Sequence, residues 1–258
     1  MTGDATPLLE VSGLSKSFGA VVVADQLDLR IQAGEALGVI GPNGAGKSTL
    51  LAMIGGDLRP DAGRVLLDGH DITGVPAARR AATGIGRTYQ VPRPFGGLTV
   101  FQNALVASQH GARLRGHQAH DAAAQALETS ALLGQANTLA DDLGLLGRKR
   151  LELARALATR PRLLLLDEVA GGLTDAEVDE LVLTVRSVLA SGVTVVWIEH
   201  VVRALRSTVG RLVCLYGGRW LADGTFDEVL ADPSVREVYL GTTVGADLAE
   251  VPADVAAS

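Results

Sequence analysis

Two groups of residues in this 258-residue chain have the types and spacing to act on a phosphorylated ligand. The first is Gly41-Pro42-Asn43-Gly44-Ala45-Gly46-Lys47-Ser48-Thr49, which satisfies the pattern G-x-x-x-x-G-K-[ST]. Its glycines let consecutive backbone N–H groups converge on an anion, because no Cβ atom blocks the approach. A helix starting where the loop ends adds unpaired N-terminal donors and its positive dipole end. Lys47 is then placed to reach the β- and γ-phosphates, and the Ser48 hydroxyl to ligate Mg²⁺. The second group is Asp167-Glu168, directly after four leucines. Asp167 fits a carboxylate that holds Mg²⁺, through water or directly, and Glu168 one that orients or deprotonates the attacking water.

These residues need particular elements beneath them. Ala36-Leu37-Gly38-Val39-Ile40 reads as a buried strand leading into the glycine loop, and Leu50-Leu51-Ala52-Met53-Ile54 as a buried helix leaving it. Leu163 to Leu166 read as a fully buried parallel strand with its acids at the C-terminal edge, where open α/β sheets bind ligands. A helix is expected over 174–189, with Asp175 and Glu177 in its first turn. Val193-Thr194-Val195-Val196-Trp197-Ile198 reads as another buried strand, and His200 follows it, where an imidazole can touch a phosphate or polarise water. Leu8-Leu9-Glu10-Val11 and residues 24–31 read as strands that precede the loop, 84–90 as a short strand after it, and 212–222 as a hairpin around Gly217-Gly218. The Ala-, Gln- and Leu-rich stretch from 100 to about 139 has helical periodicity and reads as an insert in an α/β core. Aromatics are only 3% of the chain, so Phe18, ahead of the loop, is conspicuous. Its ring either stacks on adenine or packs an edge strand, and the residues alone leave both open.

Composition excludes several classes. A formal net charge of −6 argues against a general nucleic-acid binder. The single cysteine, Cys214, rules out an internal disulfide framework and reads as a small core residue. The stretch from Met1 to Pro7 lacks the apolar core of a signal peptide. The chain is 47% apolar, yet its apolar runs fall short of the roughly 20 residues that span a bilayer. A soluble protein is expected, reaching any membrane through a partner. His110, His117 and His120 lie in the insert without a plausible set of co-ligands, and no metal site is assigned to them.

Taken together, the phosphate loop, the acid pair, Gln90 and His200 resemble the ATP-binding subunits of ABC transporters, in order and spacing, from Leu8 to Leu240. The resemblance implies an α/β fold with a P-loop (RecA-like) nucleotide-binding core, an N-terminal antiparallel β part and an inserted helical subdomain. The core would comprise 8–91 and 160–240, the helical subdomain 92–159, and 241–258 a loosely ordered tail. It also implies that ATP and Mg²⁺ bind, that Phe18 stacks on adenine, and that Gln90 contacts Mg²⁺ or water while facing a membrane partner. Glu168 matches the catalytic base and His200 the switch histidine. Within the family, Gly86-Arg87-Thr88-Tyr89-Gln90, Leu98-Thr99-Val100 with Asn103, Arg150-Leu151-Glu152-Leu153-Ala154-Arg155 and Tyr239-Leu240-Gly241 look like the ATPase subunits of branched-chain amino-acid importers. Urea and short-amide importers share this wording, and a non-transport ABC ATPase is a further alternative. The implied partners are a second ATP-binding subunit, two membrane permease subunits and, indirectly, a solute-binding protein, at the cytoplasmic face of the membrane. Nucleic acid is not among them.

One departure from the family pattern stands out. The signature L-S-G-G-Q falls on Leu143-Gly144-Leu145-Leu146-Gly147. The serine that would bind the γ-phosphate held by the opposite subunit is Gly144, and two leucines replace the central glycines. Arg148-Lys149-Arg150 follow at once, against the dipole of a helix N-terminus. Either a nearby anion or a solvated basic face accounts for them. The expectation is a heterodimer in which this chain's phosphate loop pairs with a better signature from a different chain.

Overall fold

The computed structural model describes residues 6–240, so the expected tail, 241–258, lies outside the described residues. The chain begins with β1 (Leu9–Phe18) and β2 (Val21–Ile31), then β3 (Ala36–Ile40), α1 (Lys47–Gly55), β4 (Ala62–Leu67) and β5 (His70–Asp71). α2 (Ala77–Ala82) and β6 (Ile85–Arg87) lead to three helices, α3 (Val100–His110), α4 (Gly116–Thr129) and α5 (Leu145–Ala158). β7 (Leu163–Asp167), α6 (Asp175–Ala190), β8 (Thr194–Ile198) and α7 (Val202–Arg206) follow, and β9 (Arg211–Tyr216), β10 (Arg219–Gly224), α8 (Phe226–Ala231) and α9 (Pro233–Leu240) complete the order.

Two sheets result. One is antiparallel, in the order β2-β1-β4-β5; the other has the order β10-β9-β3-β8-β7-β6 and is parallel except for the β9–β10 hairpin. The buried strands of the second sheet alternate strictly. Leu163 and Leu165 point to a core shared with α1 and the antiparallel sheet, while Leu164 and Leu166 point to the core under α6. Each such side chain removed from water contributes about 1.5–3 kcal/mol. This explains why four consecutive leucines form a strand here: both faces of the sheet are covered. Helices α3, α4 and α5 close on a third core of their own, built from Val100, Ala104, Ala123, Leu127 and Leu151 among others. Cys214 is fully buried, as expected of a small core residue, and burial pushes its thiol up to about 11.

Several elements differ in extent from the sequence expectation. β1 is ten residues long and carries the chain to Phe18, because irregularities in its pairing near Gly13 (φ 59°) absorb the break that Ser12-Gly13 signals. β6 is shorter than 84–90: beyond Arg87 only Thr88 still donates to Leu165, and Gln90 lies past the strand. α6 starts where expected, on a capping box in which Thr174 N–H donates to the Glu177 carboxylate at 2.8 Å and the Thr174 hydroxyl accepts from Glu177 N–H.

Candidate functional site: a nucleotide cleft at the strand ends

β3, β7 and β8 are adjacent and parallel, with Asp167 opposite Ile198 in register, so their C-terminal ends bring three loops to one edge. The first is the phosphate loop between β3 and α1. Gly41 (φ 153°) and Gly46 (φ 103°) hold backbone conformations that favour glycine, and a Cβ at either would overlap a carbonyl oxygen, of Leu215 and Val23 respectively. Gly46 also caps α1 without a side chain, which leaves the donors of the first helical turn open. Lys47 is 5% exposed and donates to the Gly41 and Pro42 carbonyls at 2.7 and 3.2 Å. Burial pulls its ammonium below the usual lysine range, against the raising influence of Glu168 and Asp167. A cation short of counter-charge in a ring of N–H donors is prepared for a polyanion. The far end of α1 is fixed by Arg80, a buried guanidinium that donates to the Met53 and Ile54 carbonyls at 2.8 and 2.7 Å.

The second loop carries the acids. Asp167 is buried at the end of β7; its Oδ1 accepts from Ser48 Oγ at 3.1 Å and its Oδ2 faces Arg87 at 3.4 Å. Arg87 also pairs with Asp57 at 2.6 Å. Ser48 and Asp167 thus present two hard oxygen donors side by side, a donor set that suits Mg²⁺. Glu168 sits in the left-handed region (φ 47°), uncommon for a non-glycine residue. Its Oε2 accepts from Gln90 Nε2 at 2.6 Å and lies 3.9 Å from Nδ1 of His200, which enters from the end of β8.

A cleft of about 730 Å³ joins these groups. Its lining is Phe18, Val23, the run from Asn43 through Gly44, Ala45, Gly46, Lys47 and Ser48 to Thr49, and Gln90, Glu168 and His200. Phe18 is half exposed, with Lys16 Nζ 5.6 Å from its ring centroid. Of the two alternatives for this ring, packing into a core is not the one observed.

The signature stretch is not among the residues that line this cleft. Leu143 is buried, Gly144 caps α5 without a side-chain bond, Leu145 is 45% exposed, Leu146 packs on the α6 side of the core, and Gly147 lies against Leu143. In the basic run behind it Arg148 is exposed, Lys149 buried and Arg150 half-buried, and each makes a hydrogen bond. Arg148 donates to the Asp141 carbonyl, Arg150 pairs with Glu180 at 2.9 Å, and Lys149 is buried against the Gln90 and Glu168 carbonyls.

Among the site neighbours, Lys149 and Arg87 enter the sequence analysis without a role in this cleft, and Glu199 does not enter it. Glu199 is fully buried, and its Oε1 accepts from Ala170 N–H at 2.7 Å and Trp197 Nε1 at 3.2 Å while Oε2 has no partner among the described residues. A signal was present for it: an acid directly behind five fully buried strand residues has little room to be solvated.

Comparisons agree with this architecture. Residues 24–171 match the family model described as ABC transporter, and residues 221–244 match the one described as branched-chain amino acid ATP-binding cassette transporter. The high-affinity branched-chain amino acid transport ATP-binding protein BraF of Pseudomonas aeruginosa is 36% identical, over 91% of this chain and 98% of its own length. LivG of Escherichia coli K12, named in the same terms, is 35% identical with the same coverage. The solved structure of the ADP conformation of an ATP-binding cassette of an ABC transporter superposes with a TM-score of 0.84 at 29% identity, over 92% of this chain and 99% of that one. The chain belongs to the ABC transporter family and is one of its ATP-binding cassettes.

Proposed function

We propose that this chain binds Mg²⁺-ATP in the cleft, hydrolyses it, and thereby energises branched-chain amino-acid uptake. The observation that carries the hydrolytic part is the convergence of Lys47, Ser48, Asp167, Glu168, Gln90 and His200 from the ends of four strands, β3, β6, β7 and β8. In this reading the backbone N–H groups of 43–49 cradle the phosphates, and Lys47 exchanges its loop carbonyls for phosphate oxygens. Phe18 stacks on adenine. Ser48 and Asp167, with Gln90, would hold Mg²⁺, which would supply neutralisation of the phosphate charge. Glu168 orients the attacking water and accepts its proton, and His200 steadies the γ-phosphate and the water. The core then comprises 8–91 and 160–240, and 92–159 forms the helical subdomain.

The named functions of BraF and LivG support branched-chain amino acids as the solute, over urea or a short amide. In this reading the chain is coupled to two permease subunits and docked at the cytoplasmic face; among the described residues no helix is long and apolar enough to cross a membrane. A solute-binding protein acts on the complex only indirectly. The hydroxyl-free signature at 143–147 supports a heterodimer: this chain's phosphate loop works with a partner's signature, and its own signature completes a weaker site on the partner. The test is ATP hydrolysis by the complex reconstituted in a bilayer. Stimulation by leucine, isoleucine or valine is expected, and stimulation by urea alone overturns the solute assignment. Equal losses from Glu168→Gln and from the equivalent change in the partner overturn the asymmetry.

A further inference from the structure

Lys149 reaches the site from a direction that neither the phosphate loop nor the acid pair anticipates. It lies in the second turn of α5 and is only 4% exposed. Its Nζ donates to the Gln90 carbonyl at 2.8 Å and to the Glu168 carbonyl at 3.3 Å. The side chains of those two residues are themselves joined, Gln90 Nε2 to Glu168 Oε2 at 2.6 Å. A closed ring results: the ammonium of one helix holds two main-chain oxygens whose own side chains meet in the cleft.

What the ring holds is a backbone under constraint. Glu168 is left-handed at φ 47°, a conformation a non-glycine residue keeps only where its surroundings enforce it. The surroundings do so through main chain and side chains together: Glu168 N–H donates to the Ile198 carbonyl at 2.9 Å and the Glu168 carbonyl accepts from Gly171 N–H at 3.3 Å, and two buried side chains add to this. Glu199 fixes the turn through Ala170 N–H at 2.7 Å, and Lys149 fixes it through the carbonyl of Glu168 itself. As a stabilising device alone, a buried ammonium bonded to main-chain carbonyls is a poor choice, because its desolvation opposes folding. As a device for fixing two carbonyls at once it is effective, since it offers three donors on a single atom.

We propose that Lys149 is a positioning residue for ATP hydrolysis, fixing the main chain of Glu168 and Gln90 to α5 and so setting the direction of the Glu168 carboxylate. A shift of α5 relative to the strand sheet is then felt at that carboxylate through one side chain. The inference rests on the reading of Glu168 as the group that activates water.

The experiment compares Lys149→Met, Lys149→Arg and Glu168→Gln in the full chain assembled in its transporter. It measures kcat and KM for ATP, the dissociation constant of a fluorescent ATP analogue, and the thermal midpoint. Lys149→Met is expected to lower kcat about tenfold or more with analogue affinity within about twofold, and Lys149→Arg to recover kcat to within about threefold. Where Lys149→Met does not fold, Lys149→Gln, which keeps one amide donor group, is expected to give a smaller kcat loss in the same pattern. An unchanged kcat in the variant that folds overturns the proposal, as does a loss of kcat matched by loss of analogue affinity. Glu168→Gln separates the two ideas. If it retains hydrolysis, the reading of Glu168 fails; if it abolishes hydrolysis while Lys149→Met keeps the parent kcat, only the positioning role fails.

Discussion

Gln90 and Glu168, 78 residues apart in sequence, meet through a 2.6 Å hydrogen bond from amide nitrogen to carboxylate oxygen. Gln90 lies just beyond β6, in the segment that enters the helical part, whereas Glu168 directly follows β7, the strand beside it. The bond aims the carboxylate and ties that aim to the position of the helices. Gln90→Ala is therefore expected to lower kcat for ATP about tenfold while ATP affinity stays within about twofold, as measured by steady-state turnover beside equilibrium binding.

The phosphate loop makes a sharper structural demand. Gly46 has φ 103°, and a Cβ there would overlap the Val23 carbonyl. Gly46→Ala combines backbone strain with a clash against main chain and is expected to cost about 1–3 kcal/mol where the loop keeps its shape. The alternative open to the chain is to distort the loop, which removes the converging N–H groups. Isothermal titration with ATP is expected to show binding weakened by about tenfold or more, with the secondary structure content by circular dichroism unchanged.

Much of this arrangement is legible in the sequence, and for identifiable reasons. The loop is readable because its chemistry uses glycines at fixed spacing, and Asp167-Glu168 because four leucines announce a doubly covered strand that must end at the ligand edge. Phe18 is readable only as a choice between stacking and packing, since exposure depends on how far β1 runs, and that length depends on irregular pairing near Gly13. Lys149 is not readable. In sequence it is one of three consecutive basic residues, and which of them turns inward follows from the rotation of α5 against β6. Glu199 likewise looks like a neighbour of His200 until Ala170 N–H is seen to depend on it.

Glu199 gives a pH prediction. Burial holds its carboxyl above the ordinary value of 4.5, outweighing the Ala170 N–H, His200 and the Trp197 indole, which favour the charged form. The folded state then binds the proton more tightly than the unfolded chain does. The contribution of this group to stability is fully present below the ordinary carboxyl value and is lost as pH rises through the raised folded value. Glu199→Gln keeps the acceptor for Ala170 N–H and removes the ionisation. Thermal midpoints taken from about pH 4.5 to 7.5 are expected to fall less steeply in the variant than in the parent. A steeper fall in the variant contradicts the assignment.

Glu168 bears the central claim, that this cassette hydrolyses ATP with its own carboxylate activating the water. The most direct measurement is ATP turnover by the assembled transporter carrying Glu168→Gln in this chain alone, read beside ATP binding. The substitution preserves shape and removes the base, so turnover is expected to fall by about 10²-fold or more with ATP still bound. Turnover near that of the parent, with ATP binding intact, would contradict the account.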